Sequence, residues 1–181
     1  MRFARLGVLT LFLVQVVPAH TADPKDVPKN VEKRLGDNLI DLLQNASRVE
    51  VFRISPEQSA KPGEGISGYP ILATGKEKAK DFAGKLATVL LSENTYFGEQ
   101  SRCFIPGVAL RIWRPKEQDR DSVDVIICFK CSALHLVYRD ERKRDVKHID
   151  GAFGPDNRAL LKLVKEAFPD DAEIQAIKET K

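Results

Sequence analysis

The chain has 181 residues, with 29 Lys and Arg against 26 Asp and Glu, three histidines and three cysteines. The formal net charge of +3 falls further once a leader is removed, which leaves no electrostatic case for binding nucleic acid or an anionic membrane surface. The length supports one domain with a real core and is short for two, and neither an internal repeat nor a low-complexity tract interrupts it.

The chain opens on Met1-Arg2-Phe3-Ala4-Arg5, basic and without an acid, followed by an apolar run from Leu6 to Val17 and then Pro18-Ala19-His20-Thr21-Ala22. A basic start, a short apolar segment and small residues at its exit form the pattern of a cleavable export signal. A membrane span is the competing reading, but it needs about 20 apolar residues. Cleavage is expected after Ala19 or Ala22, leaving a single domain over residues 23–181 behind a short tether with two prolines. Loss of Arg2 and Arg5 leaves 27 basic residues against 26 acidic ones. No cysteine stands near the exit, so no lipid anchor is expected. The location implied is periplasmic or extracellular.

Beyond the tether, Val31, Leu35, Leu39, Leu42, Leu43 and Ala46 recur at three and four, which predicts a helix over 29–46 weakened at Gly36. Asn45-Ala46-Ser47 matches the glycosylation acceptor, a triplet common by chance. Val49, Val51, Phe52 and Ile54 predict a strand. Residues 55–68, with two prolines and three glycines, predict a loop, and Tyr69-Pro70-Ile71-Leu72 a short edge strand. Thr74 with Glu77 has the capping-box spacing ahead of an apolar stripe, Ala79, Phe82, Ala83, Leu86, Val89 and Leu90, so a second helix is expected to start there.

The second half predicts a meander. Val108, Leu110 and Ile112 alternate with Ala109, Arg111 and Trp113; Pro115 to Asp121 forms a charged turn. Val123 to Phe129 is a nearly continuous apolar run, as in a central strand covered on both faces. Leu134, Leu136 and Tyr138 extend it, Arg139 to Arg144 makes a hairpin turn, and Asp145 to Ile149 returns. Gly154-Pro155 opens a third helix carrying Leu160, Leu161, Val164 and Phe168 on one face, closed by Pro169, and Ala172 to Ile177 forms a short last helix. The class is α+β, a mostly antiparallel sheet covered by helices on one face.

The chemistry of the chain concentrates at Cys103, Cys128 and Cys131, the last two spaced as Cys-Phe-Lys-Cys. Covalent haem would need a histidine where Ser132 stands, and a thioredoxin-type site would need a helix after the pair, where a strand pattern follows. If the turn lies at 115–121, Ile112 faces Val123, and a constant sum of paired numbers sets Cys103 opposite Cys131 or Ser132. Opposed residues lie within disulfide reach. A Cys103–Cys131 bridge is therefore expected, with Cys128 a buried free thiol, and export to an oxidising compartment favours it. A zinc site would instead join Cys103, Cys128 and Cys131 to His135 or His148, but only one closely spaced pair exists and a bulge at Phe129-Lys130 would be needed. Plain burial of all three as apolar side chains is a third reading.

Cys103-Phe104-Ile105-Pro106, then Val123 to Cys131, resembles a group of small, often exported bacterial proteins built around a Cys-Phe-x-Pro and Cys-Phe-x-Cys core. The likeness covers Cys103 to Tyr138. The group has no established activity, so the resemblance implies no catalytic residue; it implies that the three cysteines work together.

Other candidates are weaker. Gly63-Glu64-Gly65-Ile66-Ser67-Gly68 and Gly75-Lys76 lack phosphate-loop spacing. A Cys-His pair using Cys128 or Cys131 with His135 has the right atom types, though a buried thiol is usually inert. Arg111, Trp113 and Arg114 form a candidate binding patch, set against a half-exposed sheet face with Trp113 under a helix. The expectation is a non-catalytic binding or envelope-associated structural module without a cofactor. Its rival is a thiol- or metal-dependent redox protein or enzyme centred on the three cysteines.

Overall fold

A computed structural model describes residues 27–61, 64–76, 81–99, 103–114, 121–140, 145–154 and 158–178. The expected leader, most of the charged turn, Glu77, the tip of the last hairpin and Pro155 lie outside the described residues.

Strands β1 (Arg48–Ile54), β2 (Ile71–Thr74), β3 (Val108–Trp113), β4 (Ser122–Cys128), β5 (Ala133–Asp140) and β6 (Asp145–Ala152) form one antiparallel sheet, in the order β2-β1-β3-β4-β5-β6. The second half is the expected meander, with β2 the expected edge. Ile112 pairs with Val123, as the position of the charged turn requires. Strand alternation sends Val51, Val108, Leu110, Ile112, Val123, Val125, Ile127, Leu134 and Leu136 to one face, where they share a core with the helices. The architecture is α+β, with helices α1 (Lys29–Leu35), α2 (Asp37–Gln44), α3 (Phe82–Leu90), α4 (Arg158–Ala167) and α5 (Ala172–Ala176) packed on that face.

The predicted 29–46 helix is two helices. Gly36 has φ of +77°, outside any helix and in a region where a side chain is strained. Its N–H still caps α1 through the Glu32 carbonyl, while its own carbonyl accepts from Leu39 and Ile40 to start α2. Lys147 of β6 donates to the last carbonyls of α1, at Arg34 and Leu35, groups a helix end leaves unpaired.

The second helix also starts later than the capping-box spacing suggests. Thr74 closes β2 opposite Phe52, and the Gly75 and Lys76 N–H groups donate to the Val51 and Ala167 carbonyls. A Cβ on Gly75 would stand 3.0 Å from the Ala167 carbonyl oxygen, so glycine lets this crossing run close to α4. Helix α3 instead begins after Asp81, whose carboxylate pairs with Lys85 one turn on.

On the other face of the sheet, part of the 55–70 loop folds back. Ile66 and Tyr69 cover Phe52, Ile54, Ala109 and Ile126 in a second, smaller core. Both faces of β4 are thereby buried, as its apolar run suggested. None of the helices among the described residues is long and apolar enough to cross a membrane.

Candidate functional site: the cysteine turn and its cleft

Strand β4 ends at Cys128, paired with Ala133, and residues 129–132 form a tight reversal into β5. Ser132 takes φ of +49° to close it, and its N–H donates to the Phe129 carbonyl. The turn stands where a zinc site would have needed a bulge at Phe129-Lys130. It brings Cys131 back over Cys128, so that the Cys131 N–H donates to the Cys128 sulfur at 3.1 Å.

Cys103 reaches this turn from a different route than expected. The β3 ladder stops at Val108, with Gly107 making one further bond to Ile127, and residues 103–107 are irregular. Cys103 and Cys131 are therefore not a cross-strand pair. Their sulfurs nonetheless meet at 2.7 Å, longer than the about 2.05 Å of a disulfide bond. No cysteine pair among the described residues stands at bonding distance. Cys103 is exposed, whereas Cys128 and Cys131 are buried. The Cys131 thiol is pushed up to about 12, first by burial and then by hydrogen bonds with Cys103 and Cys128.

The histidines do not join the cysteines. His135 sits on β5 with Nδ1 2.6 Å from Asp150 Oδ1 and Nε2 3.0 Å from His148 Nδ1, so both ring nitrogens are engaged on the far side of the sheet from the helices. Among the described residues, no group of three or more His, Cys, Asp and Glu side chains is arranged to hold a metal ion.

Beside the cysteine turn lies a cleft of about 630 Å³, within the size range of small-molecule sites. Ile54 and Val108 line it at the end of the sheet, Ile105 and Phe129 come from the two segments that the cysteines bring together, and Ile174 of α5 and Ile177 just beyond that helix complete the apolar lining. Helix α5 is held there by Asp171, whose carboxylate accepts from the Glu173 and Ile174 N–H groups. Arg53 pairs with Asp171 and Glu173 across the same seam. Of the apolar lining residues, Leu72 and Ile105 are exposed.

The expected Arg111, Trp113 and Arg114 patch divides in two. Trp113 lies on the helix-free face, half-buried, with Nε1 donating to Glu50 and with Arg48 and Arg111 each 5.8 Å from its ring. No helix covers it. Arg114 turns the other way and bonds to Asp41 and the Asn38 carbonyl of α2.

Asp124, inside the apolar run of β4, is the functional-looking group that sequence reasoning missed. It is fully buried and receives Arg111 Nε at 2.7 Å, Arg139 at 2.7 Å and the Ser67 hydroxyl at 2.8 Å. Burial alone would raise its carboxyl, but Arg111, Arg139 and Ser67 together hold it below the ordinary carboxylate range. Its signal was available. The pairing sum that placed Ile112 on Val123 also places Arg111 on Asp124.

Comparison with protein-family models, with curated proteins and with solved structures finds no match.

Proposed function

We propose that the chain is an exported, non-catalytic binding module whose ligand site is the cleft beside the cysteine turn. The observation that carries this is positional. Cys103 and Cys131 meet at 2.7 Å and lie in the two segments that supply Ile105 and Phe129, so a bond between the sulfurs would tie those two parts of the cleft lining together. In an oxidising compartment those sulfurs form a disulfide, with Cys128 left as a buried thiol. The basic-apolar-small pattern of residues 1–22 supports export, and the near-balance of charge behind it supports a partner other than nucleic acid. No lipid anchor is part of this reading.

The rival reading, a thiol-dependent redox protein, draws less support. Disulfide exchange runs fastest when the departing thiol has a low pKa. A Cys131 thiol pushed up to about 12 is a poor leaving group, which suits a lasting structural bridge.

A neutral solvatochromic dye titrated into the processed, oxidised protein tests the cleft. The dye is expected to bind one site, with affinity lost in Ile105→Asp, a half-exposed position where a charge is tolerated by the fold. Equal binding by both proteins, or none by either, would sink the reading. Intact mass after denaturing alkylation with chelator tests the bridge: one alkylated cysteine before reduction and three after. Three in both conditions would return the cluster to the thiol or metal alternative.

A further inference from the structure

We infer that the ligand of this cleft is a single-chain amphiphile with a carboxylate head, of the fatty-acid class; the inference rests on the cleft being the binding site. The walls are aliphatic, from Ile54, Ile105, Val108, Ile174 and Ile177, with one aromatic ring at Phe129. A flexible alkyl chain fills such a space by contact area alone, and the described walls aim no neutral amide or hydroxyl side chain inward to select a polar body.

The charge around the cleft is lopsided. Among the described residues, three cations, Arg53, Lys130 and Lys178, line it with one carboxylate, Glu173. Arg53 is occupied with Asp171 and Glu173. Lys130, on the cysteine turn, and Lys178, just beyond α5, are exposed and take part in no ion pair among the described residues. They sit on two different walls, each next to an apolar lining residue, Phe129 and Ile177. A lysine stem lies along apolar surface while its ammonium stays in water. An alkyl chain in the cleft with its head at the rim would satisfy both features: buried carbon, and an anion between two ammonium groups.

Calorimetric titration of the processed, oxidised protein with dodecanoate and with dodecanol tests this. Dodecanoate is expected to bind about tenfold tighter than the alcohol, the worth of two exposed ion pairs, and to lose that advantage in 0.5 M salt (a roughly 4 Å screening length) and in Lys130→Gln/Lys178→Gln. Both substitutions are on exposed side chains, and the unchanged thermal midpoint of the variant would show that its fold is intact. Equal affinity for acid and alcohol overturns the carboxylate while leaving the cleft as a site. Binding of the neutral dye with no binding of either chain overturns the amphiphile. Absence of dye, acid and alcohol alike removes the site itself. Uptake only from anionic vesicles, with free dodecanoate ignored, also overturns the inference, because it places the partner at a lipid surface.

Discussion

Val125 and Asp124 are neighbours on β4, and both are fully buried, but they are held by opposite means. Val125 faces the helices between Leu110 and Leu136 and belongs to an apolar core shared by the sheet and all five helices. Asp124 faces away, between Arg111 and Val137, and its surroundings are two guanidinium groups and a hydroxyl beneath the folded-back loop. On the helix face stability comes from area removed from water, which tolerates change in proportion to volume. On the loop face it comes from a charge whose desolvation is offset only while every partner is present. The lesson is that the same strand can be robust on one side and brittle on the other.

The largest expected effect lies on the apolar side. Leu136→Ala removes a fully buried side chain of β5, between Val125 and Ile149, and is expected to cost about 3–4 kcal/mol, read as a shift of the urea midpoint with an unchanged slope. A loss under about 1 kcal/mol would mean that the helix layer collapses into the gap, and the contrast between the faces would weaken.

Next comes Asp124→Asn. Both arginines reach water, at 23% and 30% side-chain exposure, so part of the loss is recovered by hydration and a cost of about 2–3 kcal/mol at pH 7 is expected. The pH dependence is the sharper test. A carboxyl held low in the folded protein, against about 3.9 in an unfolded chain, adds stability that is complete above that value and is lost as pH falls through the folded one. Wild type and variant should therefore differ at pH 7 and converge in acid, whereas Leu136→Ala should stay about equally destabilised at both. A constant Asp124→Asn deficit down to acid pH would deny the carboxylate its role.

What could be read in advance follows the same division. Helix-face positions were legible because burial repeats with the period of the element: Leu160, Leu161 and Val164 in α4, and Leu110 and Ile112 in β3, fall where counting puts them. The Ile112–Val123 register followed from one charged turn. Loop-face features depend on contacts distant in sequence, such as Ser67 with Asp124, and no local period marks those. The cysteine turn escaped for another reason. Residues 129–132 contain none of the glycine, asparagine or aspartate that normally announces a reversal, and Ser132 takes the positive φ instead. The expected meeting of Cys103 with Cys131 rested on a ladder running past Val108; the sulfurs are close, but the ladder is not what brings them there.

The smallest effect separates a binding patch from a structural ring at Trp113. The indole is half-buried, donates one hydrogen bond to Glu50 at 3.2 Å, and has two arginines near the outer limit of a cation–π contact. Those contacts are local to β1 and β3, and the helices among the described residues pack on the other face of the sheet. Trp113→Ala should therefore lower stability by about 1 kcal/mol without loss of cooperativity, far below what a core tryptophan costs. It should also leave binding in the cleft unchanged, because Trp113 sits at the end of β3 away from Val108. A loss of about 3 kcal/mol would make the ring part of a core under the loop, extending the apolar cluster of Phe52 and Ile126 along the sheet. A small loss accompanied by weaker ligand binding would join the two ends of β3 in one site, and the cleft would then be only part of the surface that takes the ligand.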